Sequence, residues 1–187
     1  MYHSQDTKIR LEAFNKIGIA LSSETHLGRL LELIVKEARN FTNADAGSLY
    51  LVDHDKNCLN FEVAQNDTLK KRADLKSETF KPYSLTLNKN SIAGYVAITG
   101  ETLNIADAYH LTPKAGFEFN RDFDKRNKYR TKSMLLVAMK DTEGKIIGVL
   151  QLINSTNIQG KVVSFDTKIE TLVSSLASQA AVAIKNA

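Results

Sequence analysis

The chain has 187 residues in ordinary globular proportions, with 43% hydrophobic and 25% charged residues, nine glycines and two prolines. These proportions exclude a disordered, collagenous or low-complexity chain, and the longest apolar run, Met134 to Met139, is far short of the ~20 residues of a membrane span. The net charge of +4 is concentrated: Asn120 to Lys132 holds six basic residues against two acidic ones, and the rest of the chain is neutral.

In chain order, Ile9, Ala13, Ile17, Ala20 and Leu21 recur at helical steps, and Leu27, Leu30, Leu31, Ile34, Ala38 and Phe41 repeat the pattern more strongly. Ser22-Ser23-Glu24-Thr25 between them supplies hydroxyls to end one helix and start the next. Residues 1–25 form an N-terminal helix suited to dimerisation or linkage; residues 26–187 form the domain. Ala46 to Val52 and Leu59 to Val63 alternate as strands around an Asp53–Asn57 turn. Asn66 to Lys81 is polar and reads as an exposed loop, with Lys70-Lys71-Arg72 a solvated face. Ser84 to Leu87 is a third strand. Ser91 caps a short helix that runs to Thr99 and stops at Gly100, and Leu103 to Ile105 is an edge strand.

Asp107 to Lys132 has no period, and a connection this long reads as a functional lid or a disordered segment. Met134–Met139 and Ile146–Ile153 then form a second hairpin, expected to be the central strand pair. The last helix carries the stripe Ile169, Leu172, Val173, Leu176, Ala180, Ala183 and Ile184, with Ser164 as cap and Asp166 in its first turn. The order of elements is α+β.

A lone Cys58 allows no internal disulfide and fits a reducing cytoplasm. His3, His26, His54 and His110 are scattered without metal-ligand spacing, so no metal is expected. Phosphate-loop, dinucleotide-binding and nucleophile-elbow motifs are absent from the sequence. Nucleic-acid binding needs a basic face with stacking aromatics, and only Phe123 and Tyr129 interleave with the basic cluster, so no nucleic-acid partner is expected.

Four stretches carry a resemblance: Ala44-Asp45-Ala46-Gly47-Ser48-Leu49-Tyr50, Ser91-Ile92-Ala93-Gly94-Tyr95-Val96, Phe119-Asn120-Arg121 with Tyr129-Arg130-Thr131, and Ile146-Ile147-Gly148-Val149-Leu150-Gln151-Leu152-Ile153-Asn154. Together they make residues 26 to 187 resemble the GAF domain family, in the branch found in cyclic-nucleotide phosphodiesterases and bacterial signalling proteins. The resemblance implies a central, mostly antiparallel sheet of five or six strands. Terminal helices pack on one face, and loops and short helices enclose a small-molecule pocket on the other.

Carried over position by position, the resemblance places Ser48 near a ligand base and Ile92, Ala93 and Gly94 at its phosphate. It places Asp124, Asn127 and Thr131 on the lid side, and Gln151 where some guanine-binding relatives are acidic. Gln65 and Asn66 stand near the place of a stacking aromatic. Of the family's signature motif, Asn154, Phe165 and Glu170 are kept, while Ser155 and Ile169 replace a lysine and an aspartate that pair in relatives. Replacing both partners together is compatible with a coherent variant fold.

The resemblance further implies a sensory module without catalysis of its own, with cAMP or cGMP as effector. It would form a homodimer through its terminal helices and regulate an output domain in the same polypeptide, such as an HD-type phosphodiesterase, a diguanylate cyclase or a histidine kinase. The alternative is a ligand-free dimerisation and relay domain. Methionine-sulfoxide reductases share the fold but use several cysteines.

Overall fold

The computed structural model describes residues 2–72 and 82–187, and the side chains of these except 2–11, 13 and 113. The order is α1 (Tyr2–Ser23), α2 (Leu27–Thr42), β1 (Ala44–Asp53), β2 (Cys58–Asn66), α3 (Asp67–Lys70), β3 (Tyr83–Thr86), α4 (Ile92–Thr99), β4 (Leu103–Ile105), α5 (Asp122–Asn127), β5 (Met134–Lys140), β6 (Ile146–Thr156), β7 (Val162–Val163) and α6 (Thr167–Asn186). Two 3-10 turns, Ala108–His110 and Pro113–Ala115, interrupt the segment before α5.

The strands make one antiparallel sheet in the order β3-β2-β1-β6-β5-β4, with β7 paired to the end of β6. This is the α+β architecture the sequence implies. The central pair differs from expectation. It is β1 with β6, and the β5–β6 hairpin lies to one side of the middle. Both strands of that hairpin are apolar enough for the centre, and the neighbour chosen by β6 is set by long-range pairing that local pattern does not encode.

Strand side chains alternate between two layers. Leu49, Leu135, Val137, Leu150 and Leu152 face α2 and α6 and pack on Leu30, Ile34, Val173 and Leu176. Ile17 and Leu21 bring α1 into this layer; Ile9 and Ala13, the start of its expected stripe, have side chains outside those described. Tyr50, Leu59, Leu136 and Val149 face the opposite way, beneath Ile92, Ala93 and Val96 of α4. One irregularity matters below. The register of β2 against β1 slips between Leu49 and Tyr50, so Leu49 pairs with Val63 but Tyr50 with Phe61. The extra residue, Glu62, reverses the facing of everything after it in β2.

The helix boundaries correct or confirm the sequence reading. Ser22 and Ser23 donate back to the carbonyls of Gly18 and Ala20 at 2.9 and 3.0 Å, so they close α1; α2 starts at Leu27, and His26 before it provides no side-chain cap. Asp166, not Ser164, caps α6, accepting from the Lys168 N–H at 2.9 Å. A carboxylate beats the hydroxyl two residues earlier because it stands where the first free N–H groups point. Ser91 caps α4 and Gly100, at φ +70°, ends it, as expected. Of the polar loop expected over Asn66–Lys81, residues 67–70 form α3, and 73–81 lie outside the described residues.

Several carboxylates are held in the ionised form. A hydrogen bond from Arg39 lowers the Asp67 carboxyl, and one from Lys185 lowers Asp141, tying the last turn of α6 to the β5–β6 turn at 3.1 Å. At Asp107, burial pushes upward but is outweighed by the Tyr109 N–H and Arg130. A carboxyl depressed in the folded state stabilises above its unfolded value of about 4, and the contribution is lost as pH falls through the folded value. The melting temperature is therefore expected to hold steady from neutrality down to about pH 5 and to fall below about pH 4. Calorimetry across pH checks this, and Asp141→Asn should flatten part of the acid limb. A melting temperature that rises on acidification would contradict it.

Candidate functional site

The layer beneath α4 is apolar except for one patch. Ser48 and Gln151 lie directly opposite each other across the β1–β6 ladder, 7% and 9% exposed, with Tyr50 two residues along the same face of β1. The Ser48 hydroxyl makes no hydrogen bond among the described residues, and its oxygen keeps some access to solvent, since no fully buried side-chain nitrogen or oxygen among those residues lacks a partner. Burial raises the Tyr50 phenol well above its ordinary value, nearby Tyr83 adds to this, and a hydrogen bond with Gln151 partly offsets both. The hydroxyl is thus neutral and able to donate or accept. Beside the patch, the rings of Tyr50 and Phe61 lie 4.7 Å apart, and those of Phe61 and Tyr83 5.0 Å apart. The sequence lacks an aromatic at the end of β2, but mid-strand Phe61 supplies one on this face. The signal was available in its alternation with Leu59.

The start of α4 forms the second wall. Ile92 and Ala93 are buried in the layer, and the Gly94 N–H donates to the Ser91 hydroxyl at 3.1 Å. The lid docks here: Glu118 N–H donates to the Asn90 carbonyl at 2.8 Å, pairing Glu118 with Ser91. A groove of about 630 Å³ opens over the helix start, with Lys125 and Asp122 of α5 on its far side.

The lid is held by one buried carboxylate. Asp124, 2% exposed, accepts from the Thr131 N–H at 2.8 Å, the Thr131 hydroxyl at 2.8 Å and the Tyr109 hydroxyl at 3.0 Å. The guanidinium groups of Arg130 and Arg121 lie 3.6 and 4.3 Å from the centre of the Tyr109 ring, and Arg130 also pairs with Asp107 at 2.9 Å. Two of the six cations in the basic cluster are therefore part of the lid's own packing. Asn127 donates to the Phe123 carbonyl at 2.9 Å.

The structure brings Ser48, Gln151, Ile92, Ala93 and Gly94 around one layer, with Asp124 and Thr131 as the latch of its lid. It does not bring Gln65 or Asn66 there. The β2 bulge turns Gln65 to the opposite face, where its amide donates to Glu32 and its oxygen accepts from Arg39 at 3.2 Å. Asn66 caps α3 by accepting from the Leu69 N–H at 2.9 Å.

The motif residues are structural ties. Asn154, at φ +57°, accepts from the Lys132 N–H at 2.7 Å and donates to the Tyr129 hydroxyl and the Arg130 carbonyl. Phe165 is buried among α2 and α6, and Glu170 accepts from Asn104 at 2.6 Å, fastening α6 to edge strand β4. Where relatives pair a lysine and an aspartate, the Ser155 hydroxyl donates to the Thr42 carbonyl at 2.9 Å and Ile169 packs against the core. The exchange leaves no unpaired charge.

Comparisons with known proteins agree with this architecture. The chain is 33% identical over 147 residues to the dual 3',5'-cyclic-AMP and -GMP phosphodiesterase 11 of Drosophila melanogaster, covering 73% of this chain and 9% of that protein. It is 32% identical over 153 residues to a cGMP-specific 3',5'-cyclic phosphodiesterase of Drosophila pseudoobscura pseudoobscura, covering 78% of this chain and 13% of that one. The chain thus spans about a tenth of these relatives' length. The GAF domain of an Acinetobacter phosphoenolpyruvate-protein phosphotransferase superimposes with a TM-score of 0.70 at 20% identity, over 95% of this chain and 93% of that one. A free methionine-R-sulfoxide reductase of Neisseria meningitidis superimposes with 0.69 at 15% identity, over 97% and 91%. Both show the shared fold. With the family model for the GAF domain matching residues 26–184, this chain belongs to the GAF domain family.

Proposed function

We propose that this chain is a sensory module that binds a small polar or anionic effector between the Ser48–Tyr50–Gln151 patch and α4, with a cyclic nucleotide (cAMP or cGMP) as the ligand class. The observation that carries this reading is the Ser48 hydroxyl, on a residue 7% exposed, which makes no hydrogen bond among the described residues and faces Gln151 on an otherwise apolar layer. A hydroxyl that keeps some access to solvent on a covered, apolar layer and is not used within the fold is available to a ligand. A glutamine donates and accepts, so it reads adenine or guanine edges alike. The capped start of α4 and Lys125 suit the phosphate, and the Phe61 ring suits the base. The phosphodiesterase relatives, whose names specify cyclic nucleotides, support the same class.

Binding regulates by favouring one arrangement of the lid and the terminal helices over another, in proportion to the ligand's preference for that arrangement. Ile19 on α1, 71% exposed, and Val182 on α6 flank a groove between these helices, which supports a homodimer built through them. The output domain lies in cis in a longer polypeptide. No described helix is long and apolar enough to cross a membrane.

Isothermal titration of the chain with cAMP and cGMP tests the reading. Gln151→Leu should weaken the bound nucleotide about tenfold, the worth of one to two lost hydrogen bonds. The absence of heat from either nucleotide, alongside a stable dimer in light scattering, would favour the ligand-free relay domain.

A further inference from the structure

A second cleft, of about 660 Å³, lies where α2 ends, β1 begins and α3 meets the far end of the lid. None of the residues proposed above to bind an effector beneath α4 lines it. Its charges are unequal in how far they are already used. Asp67 is taken by Arg39 at 2.7 Å. Asp45 accepts from the Thr68 N–H and hydroxyl at 3.1 and 2.8 Å and from the Tyr129 hydroxyl at 2.7 Å. Arg39 is also spent on the Ala44 and Asp45 carbonyls and Gln65. The ammonium groups of Lys71 and Lys128, in contrast, have no hydrogen bond or ion pair among the described residues. Arg72 uses one guanidinium nitrogen, which donates to the carbonyls of Asn127 and Lys128 at 2.9 and 3.0 Å. Three cations with spare donors thus converge on a cleft whose two carboxylates are both satisfied.

Backbone conformation at Lys128 is a second observation. The residue ends α5 at φ +46°, ψ +41°, a left-handed position that glycine or asparagine fills at less steric cost. Lys128 lines the cleft together with Lys71 and Arg72, so the lysine at this turn brings to it a cation that a glycine or asparagine there would not.

We propose that this cleft binds a polyvalent phosphate group, carried by inorganic polyphosphate or by the tail of a nucleoside polyphosphate. A chain of two or three phosphates has the charge to engage three separated cations at once, which a carboxylate or a chloride does not. Because Arg72 already grips the last turn of α5, the anion fastens residues 71–72 to the end of the lid. The site therefore bears on the element whose other end, at Glu118, covers α4.

The test is isothermal titration of the full chain with inorganic tripolyphosphate and with ATP, in the wild type and in a Lys71→Gln/Lys128→Asn double variant. Asparagine keeps the left-handed turn, so the variant should melt within a few degrees of the wild type and remains a fair test. Tripolyphosphate should bind, weaken as ionic strength rises, and lose at least tenfold in affinity in the double variant while Gln151→Leu leaves it unchanged. Equal affinity for ATP and tripolyphosphate supports a site that reads phosphates alone; tighter binding of ATP supports one that also holds the nucleoside. No binding of either probe, unchanged affinity in the double variant, or loss of binding in Gln151→Leu overturns the proposal.

Discussion

Asp124→Ala is expected to lower the melting temperature by about 6–12 °C and to release the lid. The carboxylate accepts three hydrogen bonds, one from a backbone N–H that is buried and cannot rotate towards another acceptor. The Thr131 and Tyr109 hydroxyls can turn elsewhere, so the dominant cost is the orphaned Thr131 amide together with the lost charge-assisted bonds, about 3 kcal/mol. A domain of this size loses about 2–4 °C per kcal/mol.

Asp124→Asn separates geometry from charge. Its oxygen keeps the Thr131 N–H and the Tyr109 hydroxyl, and its amide donates to the Thr131 hydroxyl, which accepts in reverse. That variant should lose less than half as much. Calorimetry with amide exchange at Thr131 checks the pair: the alanine variant should lose protection there and the asparagine variant should retain most of it. Equal melting temperatures for wild type and Asp124→Ala would mean that the latch is not holding the lid.

The way Asp124 acts also shows which parts of the site were legible in the sequence. Short-range chemistry was plain. Ser91 three residues before Gly94, and Gly100 after Thr99, specified α4 with both ends, because a cap and a left-handed stop act within one turn. The resemblance singled out Ser48, Gln151 and Asp124, yet it did not reveal that Asp124 bonds Thr131 and Tyr109. That depends on how a lid with no internal period closes on itself.

Gln65 was misplaced for a different reason. Strict alternation from Leu59 and Phe61 puts it on the layer beneath α4, but the extra residue at Glu62 turns it to α2, where Arg39 and Glu32 receive it. Nothing local announces that bulge; it follows from the pairing of β2 with β1. The same limit explains the misjudged sheet centre. The basic cluster was legible as a charge but not as a role, since Arg121 and Arg130 clamp Tyr109 while Lys125 and Lys128 face different grooves.

Gly94→Ala is the second substitution expected to have a large effect, and its sign runs against helix propensity. Alanine inside a helix normally gains about 1 kcal/mol over glycine. Here a Cβ would come 2.0 Å from the Asn88 carbonyl oxygen and 2.8 Å from the Ser91 hydroxyl. The first neighbour is backbone, and the turn that holds it is fixed by the Asn88 side chain accepting from the Asn90 N–H at 2.9 Å and by Glu118 docking on Asn90. Relief requires that turn to move, which costs about 1–3 kcal/mol in overpacking and about 1 kcal/mol more as the Ser91 cap is lost.

The net is a destabilisation of about 1–3 kcal/mol, localised where the lid meets α4, so effector affinity should fall further than stability alone accounts for. Gly28→Ala is the matched control. It lies in α2 with open space around its Cβ position, so the same change should be neutral or stabilising by up to about 1 kcal/mol. Melting curves of the two variants with and without cGMP decide the matter. Opposite signs in the free protein, with ligand stabilisation kept in Gly28→Ala and lost in Gly94→Ala, are what close approach at the start of α4 requires. Equal effects at the two glycines would place the constraint elsewhere.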